Sequence, residues 1–170
     1  MKLAKVAIVA ALVATPMSLS AQDFSGFRAG ISAGALSGDN NASGDEADYG
    51  LFAGYNYDLG NGLIGGEIAY NTGDINATGV TLEDSLHLKA RYGIQVGTSG
   101  LAYGTIGYAR AKASTGGHDE GYVVGAGYEQ AINDQMFVGG EYLYSEYNNV
   151  GATSSDASAH SIAVRLGMKF

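Results

Sequence analysis

The side chains of this sequence best suited to nucleophilic chemistry are two Ser–His pairs, Ser85 with His87 and Ser158 with His160. Each pair is two positions apart, so in an extended strand both side chains share one face. Hydrolysis of an ester would also need a carboxylate to orient the imidazole, and the spacing places none beside either histidine. The third histidine, His118, falls in a connecting segment. A second candidate chemistry is cation binding. Asp39-Asn40-Asn41-Ala42-Ser43-Gly44 reads as the first half of a calcium loop, with Asp45, Glu46 and Asp48 behind it. Its twelfth position is Gly50, where such a loop requires a bidentate Glu. The stretch therefore reads as a solvated acidic loop that bridges divalent cations loosely at most. No catalytic residue, resident metal or cofactor is expected, and the chain is not expected to be an enzyme.

Other classes are disfavoured by composition. No phosphate-cradling glycine motif, Cys/His metal spacing or basic stripe is present. The formal net charge is −8, which argues against a nucleic-acid partner. There is no cysteine, so stability must come from the fold itself.

The remaining ionisable groups form the informative constellation. Arg28, Glu67, His87, Lys89, Arg91, Glu129, Glu141 and Arg165 each lie one position out of phase with runs of alternating apolar residues. Such alternation is the signature of a strand with two unlike faces. In the final stretch Ile162, Val164, Leu166, Met168 and Phe170 make a wholly apolar face, opposite Ser161, Ala163, Arg165, Gly167 and Lys169. Eight such stretches are predicted, at 25–36, 47–58, 62–72, 82–95, 100–113, 119–131, 135–147 and 158–170, each about as long as a tilted membrane-crossing strand. Tight connections at 59–62, 97–99 and 132–134 alternate with longer polar ones near 37–46, 73–81, 114–118 and 148–157. Short turns on one rim and long loops on the other are the arrangement of an outer-membrane barrel.

The expected fold is all-β: an eight-stranded antiparallel up-and-down transmembrane β-barrel. A Lys or Arg on its lipid face at the bilayer midplane costs about 2 to 4 kcal/mol, so Arg28, Lys89, Arg91 and Arg165 must point inward. An eight-stranded barrel has an interior only wide enough for side chains to fill it. Inward glycines, among them Gly54, Gly93, Gly127 and Gly167, would make room for the long charged ones. Arg28, Glu67, Lys89, Arg91, Glu129, Glu141 and Arg165 are thus expected to form one lumen network, the core of a barrel with no apolar core. Tyrosines near the strand ends would supply the interfacial girdle. Strand five fits least well, because directing Ile106 and Tyr108 to lipid also directs Arg110 and Lys112 outward. Either these two snorkel to the long-loop rim and meet lipopolysaccharide phosphates, or a one-residue register change turns them into the lumen or loop. A secreted sandwich or lipocalin-like barrel is the non-membrane alternative, and it leaves the loop asymmetry and Phe170 without a reason.

The first residues fit export. Met1-Lys2-Leu3-Ala4-Lys5 is basic, and the run from Val6 to Ala14 is apolar but too short to span a bilayer. Residues 1–21 are expected to be a cleaved signal peptide and 22–170 one barrel domain.

These residues resemble the small outer-membrane barrels of the OmpA/OmpX and opacity-protein type. The resemblance rests on Gly65-Gly66-Glu67-Ile68-Ala69-Tyr70, Gly125-Ala126-Gly127-Tyr128-Glu129, Gly140-Glu141-Tyr142-Leu143-Tyr144 and the terminal Arg165-Leu166-Gly167-Met168-Lys169-Phe170. It implies location in the outer membrane of a Gram-negative cell, with lipid and lipopolysaccharide as surroundings; a monomer is expected. It also implies that Phe170 is read by the barrel-assembly machinery. Because the chain stops at Phe170, no peptidoglycan-binding domain is expected. Barrels of this family serve as adhesins, envelope stabilisers, small pores or lipid-modifying enzymes. The expectation here is a structural or surface-interaction role through the loops, with a small ion or solute pore as the alternative and a lipid A-modifying enzyme as a remote one.

Overall fold

The computed structural model describes residues 23–38, 46–77, 80–113, 118–148 and 157–170. The predicted signal peptide, residues 39–45 of the acidic first loop, and the centres of the other long connections lie outside the described residues. Eight strands follow one another: β1 (Gly26–Gly38), β2 (Glu46–Asp58), β3 (Leu63–Ala77), β4 (Val80–Val96), β5 (Gly100–Ala113), β6 (His118–Ala131), β7 (Met136–Asn148) and β8 (Ala157–Lys169). Each pairs antiparallel with its sequence neighbours, and β1 closes on β8 with Ile31 opposite Leu166 and Arg28 opposite Lys169. Closure removes both sheet edges, so every strand's backbone groups find partners without water, as hydrocarbon requires.

The tight turns are built by the residues at their centres. Gly60 (φ +86°) and Gly97 (φ +65°) take the left-handed conformation that glycine adopts without steric penalty. Leu59 N donates to Gly62 O at 2.8 Å, and Asn133 Oδ1 accepts from Met136 N at 2.8 Å.

Most strand limits fall within two residues of those expected, with one correction. Of the long polar loop expected at 73–81, residues 73–77 and 80–81 are strand, and 78–79 lie outside the described residues. β3 runs to Ala77 and β4 starts at Val80, with Ile75 opposite Leu82 and Ala77 opposite Val80. Gly73 and Asp74, which look like a turn in sequence, lie where the register shifts between Thr72 and Ile75. They mark a bulge, beyond which the β-branched Ile75, Val80 and Thr81 resume the strand pattern.

Side-chain parity is inside-out. Phe27, Leu51, Leu88 and Ile106 are each more than 60% exposed, whereas Arg165 and Glu129 are 2% and 0% exposed. Large apolar side chains surround the barrel and ionised ones occupy its axis. That polarity suits hydrocarbon outside and is untenable in water. No helix among the described residues is long and apolar enough to cross a membrane; the crossing elements are the strands.

Candidate functional site

The site is the lumen, and register decides who meets there. Glu67 on β3 faces Lys89 on β4, Gly139 on β7 sits opposite Arg165 on β8, and Gly127 on β6 sits opposite Glu141 on β7. The facing glycines leave the axis to the long side chains.

All seven charged residues singled out from the sequence line this one space. Arg28 holds Glu129 through a two-pronged contact, Nη1 to Oε2 at 2.7 Å and Nη2 to Oε1 at 2.6 Å. This fork geometry is what distinguishes arginine from lysine as a carboxylate partner. Arg91 bridges two carboxylates, Nη1 to Glu67 Oε2 at 3.0 Å and Nη2 to Glu129 Oε1 at 3.1 Å. Arg165 also bridges two, donating to Glu67 Oε2 at 2.6 Å and, through Nη1, to Glu141 Oε2. Lys89 Nζ lies 2.7 Å from Glu141 Oε1 and 2.9 Å from Glu67 Oε1. Glu67 is the hub, with Arg28 at 3.5 Å as its fourth cation.

Aromatic rings complete the network, and these the sequence reading missed. The Arg165 guanidinium lies 3.8 Å from the Phe52 ring centroid, that of Arg28 4.6 Å from Phe137, and that of Arg91 3.7 Å from Tyr103. Tyr103 Oη also donates to Glu141 Oε2 at 2.9 Å and accepts from Arg165 Nη1 at 3.2 Å. Ring faces attract desolvated cations, and here they cover guanidinium planes whose edges are spent on carboxylates. The Nε atoms of Arg28 and Arg165 have no hydrogen-bond partner among the described residues.

The expectation of a barrel with no apolar core is therefore corrected. Phe52, Ala69 and Phe137 form one buried cluster, and Phe24, Leu63, Leu101 and Ala131 form another at the turn-side end. A signal was available: Phe52, Tyr103 and Phe137 share the inward parity of the charged residues, and inward glycines lie beneath them. A Cβ on Gly167 would collide with the Phe137 ring, and one on Gly127 with the Tyr103 ring.

Towards the loops the lumen changes character. A cavity of about 20 Å³, room for about one water, is lined by Asp48, Asn71, Ser85, His87, Ser145, Tyr147 and Ser161 among others. Asp48, expected in the solvated acidic loop, instead stands on β2 and is 4% exposed, because its inward parity turns it into the lumen, where Oδ2 accepts from Asn71 at 3.2 Å and from Ser161 at 3.3 Å. His87 is 5% exposed, and neither ring nitrogen has a partner among the described residues. The structure thus brings Ser85 and His87 to one chamber wall without a carboxylate bonded to the imidazole. The other pair lies on the outer face. There His160 Nδ1 is 2.6 Å from Tyr142 Oη and its ring lies 5.1 Å from that of Tyr144, tilted by 53°, so a phenol occupies the nitrogen that a catalytic carboxylate would need. The side chain of His118 lies outside the described residues.

On the lipid face near the loop rim, Tyr122 and Tyr144 both donate to Glu146 Oε2, at 2.6 and 3.0 Å. Such rings with one wet end suit the membrane interface. Pairing of β5 with β6 runs without a shift, and Arg110 is exposed directly opposite Glu120. The alternative of a turned register in strand five is thereby removed for Arg110, whereas the Lys112 side chain lies outside the described residues. Phe170 is 77% exposed on the turn-side rim, its N–H donating to Phe27 O at 2.9 Å.

A closed eight-stranded barrel with a lipid-facing apolar exterior and an ion-paired lumen defines an outer-membrane β-barrel protein. The chain belongs to the outer membrane protein beta-barrel domain family, whose profile matches residues 6–170. It is 32% identical over 156 residues to the 31 kDa outer-membrane immunogenic protein of Brucella melitensis, covering 71% of this chain and 65% of that protein. It is 26% identical over 136 residues to the 22 kDa outer membrane protein of Rhizobium leguminosarum, covering 71% and 64%. The chain thus spans less than two thirds of the length of either relative. Among solved structures, Neisserial surface protein A superposes with a TM-score of 0.61 over 86% of this chain and 98% of that one, at 15% identity. Ail, the attachment invasion locus protein of Yersinia pestis, superposes at 0.58 over 86% and 97%, at 14% identity. These two likenesses are of fold, and the fold and the family place the protein in the outer membrane.

Proposed function

We propose that this barrel is a non-enzymatic structural element of the outer membrane that also presents its loops to surfaces or partners. Its lumen is a plug rather than a conduit. The observation that carries this reading is the hub at Glu67, where Arg28, Lys89, Arg91 and Arg165 converge on one buried carboxylate. Moving an ion through that level means separating several buried pairs at once, each expensive to leave uncompensated. In the same proposal Arg110 and Lys112 meet lipopolysaccharide phosphates at the loop rim, and Phe170 serves recognition by the assembly machinery. The arrangement of Phe170 on the exposed turn-side rim supports the second assignment.

The competing reading is a small pore that opens when the salt bridges rearrange, with the water-sized chamber beside His87 as its outer vestibule. Planar-bilayer recording on the refolded protein separates the two. The plug predicts no steady conductance. Reproducible conductance that disappears when Arg91 or Glu141 is neutralised would establish the pore and overturn the structural reading.

A further inference from the structure

The segment ahead of β1 is anchored inside the barrel mouth. Residues 23–25 belong to no strand, yet Phe24 is 3% exposed and packs with Leu63, Leu101 and Ala131. Those three stand at the turn-side ends of β3, β5 and β6, so the ring lies across the opening rather than against one wall. The bend that carries it there is at Gly26, with φ +99°, a conformation that residues bearing a Cβ rarely adopt. A Cβ at Gly26 would also come within 2.8 Å of the Phe170 carbonyl oxygen.

Two buried inward side chains grip this segment. Asn56 Nδ2 donates to Phe24 O at 3.0 Å, and Lys169 Nζ donates to Asp23 O at 2.6 Å while standing 4.9 Å from the Phe24 ring centroid. Asn56 is 1% exposed and Lys169 8%. The segment braces itself as well, Ser25 N donating to Asp23 Oδ1 at 2.8 Å.

From this we infer that Asp23-Phe24-Ser25 is a built-in stopper, which seals the turn-side mouth of the lumen and can lift while the barrel stays closed. Its hold consists of one ring and a few hydrogen bonds, whereas the wall behind it consists of eight paired strands. Local opening of so lightly held a segment, which belongs to no strand, requires far less than global unfolding. The stopper and the ion network are two barriers in series with different physics, the first apolar and the second electrostatic.

The protein has no cysteine, so a single thiol reports on the mouth. Ala131 is 4% exposed beneath Phe24, and Ala131→Cys places a small thiol there. In the refolded full chain in micelles, a small methanethiosulfonate reagent should label Ala131→Cys slowly. Adding Phe24→Ala should accelerate labelling about tenfold or more, as loss of the ring's burial raises the open fraction of the mouth. Adding Lys169→Gln should give a smaller acceleration. Retained heat-dependent gel mobility shows that the barrel remains closed in each variant. The stopper is overturned if Ala131→Cys in the parent reacts as fast as Asn133→Cys on the exposed turn. It is equally overturned if Phe24→Ala leaves the rate unchanged. Should Phe24→Ala not refold, an unchanged rate in both Lys169→Gln and Asn56→Ala overturns it. Because the ion network is untouched in these variants, faster labelling without conductance supports the stopper while leaving the plug reading intact.

Discussion

The middle of the lumen and its loop-side chamber are made by the same eight strands with the same inward parity, yet they handle buried polarity in opposite ways. At the middle level every carboxylate meets at least two cations: Glu129 holds Arg28 and Arg91, and Glu141 holds Lys89 and Arg165. The guanidinium planes rest on Phe52, Phe137 and Tyr103. At the chamber level the inward residues are mostly uncharged, Ser85, Ser145 and Ser161 among them; the Asp48 carboxylate is held by the neutral donors Asn71 and Ser161, and His87 has no hydrogen-bond partner among the described residues. A cluster of full charges is assembled where its neutralising neighbours are already positioned, because a stranded member is costly, whereas the single carboxylate of Asp48 is met by neutral donors beside a water-sized space. An imidazole without a hydrogen bond is tolerated there, because one unmet polar group forgoes far less than a stranded ion pair does.

The most severe break in this contrast is Glu67→Gln. It removes one charge and strands four cations on two carboxylates. A loss of roughly 3 to 5 kcal/mol is expected, read as an earlier midpoint in urea unfolding of the micelle-bound protein. A loss below about 1 kcal/mol would mean that the middle network is as loosely determined as the chamber, and the contrast would be wrong.

The complementary change in the chamber is His87→Leu. The imidazole makes no hydrogen bond among the described residues, so replacing it with an apolar group of similar size removes only an unmet polar demand. Stability should be unchanged or higher by up to about 1 kcal/mol in the same urea titration. A loss larger than that would give His87 a structural partner and bring the chamber closer to the middle network in kind.

How much of this contrast could be read from the sequence follows from what parity does and does not encode. The expense of a lone Arg or Lys in lipid fixes which way Arg28, Lys89, Arg91 and Arg165 turn, and a period of two then orients every neighbour on the same strand. Parity also puts Ser85 and His87 on one inward face. It does not reveal depth. Whether an inward residue lies at the level of Glu67 or of Asp48 depends on the stagger between strands, which is a property of the closed sheet. Residue type alone hides Phe52, Phe137 and Tyr103, because an aromatic residue in a barrel strand suggests lipid, and only counting from Gly54, Gly139 or Gly107 exposes their inward phase. Phe24 carries no periodic signal, since its position is set by the bend at Gly26 and the reach of Lys169 and Asn56. Gly73-Asp74 misled for the converse reason: turn-like composition also suits a bulge.

The smallest expected effect lies where the same chemistry meets water. Asp23 is exposed at the turn-side rim, and the Ser25 backbone N–H, followed by the Ser25 hydroxyl and the Lys169 charge, holds its carboxyl below the ordinary value of 3.8. A carboxyl lowered in the folded state contributes stability above its unfolded value and loses that contribution as pH falls through the folded one. The brace on the stopper should therefore persist through neutral and mildly acid pH and relax only below about 3.8. The Ser25 amide resonance, followed by NMR through an acid titration, should shift with a midpoint under that value. Asp23→Asn keeps an oxygen for the Ser25 amide and removes only the charge, so it should accelerate labelling of Ala131→Cys much less than Phe24→Ala does. A midpoint above 3.8, or an Asp23→Asn effect as large as that of losing the ring, would mean that charge holds the mouth as it holds the middle of the lumen. The stopper would then belong to the electrostatic region rather than the apolar one.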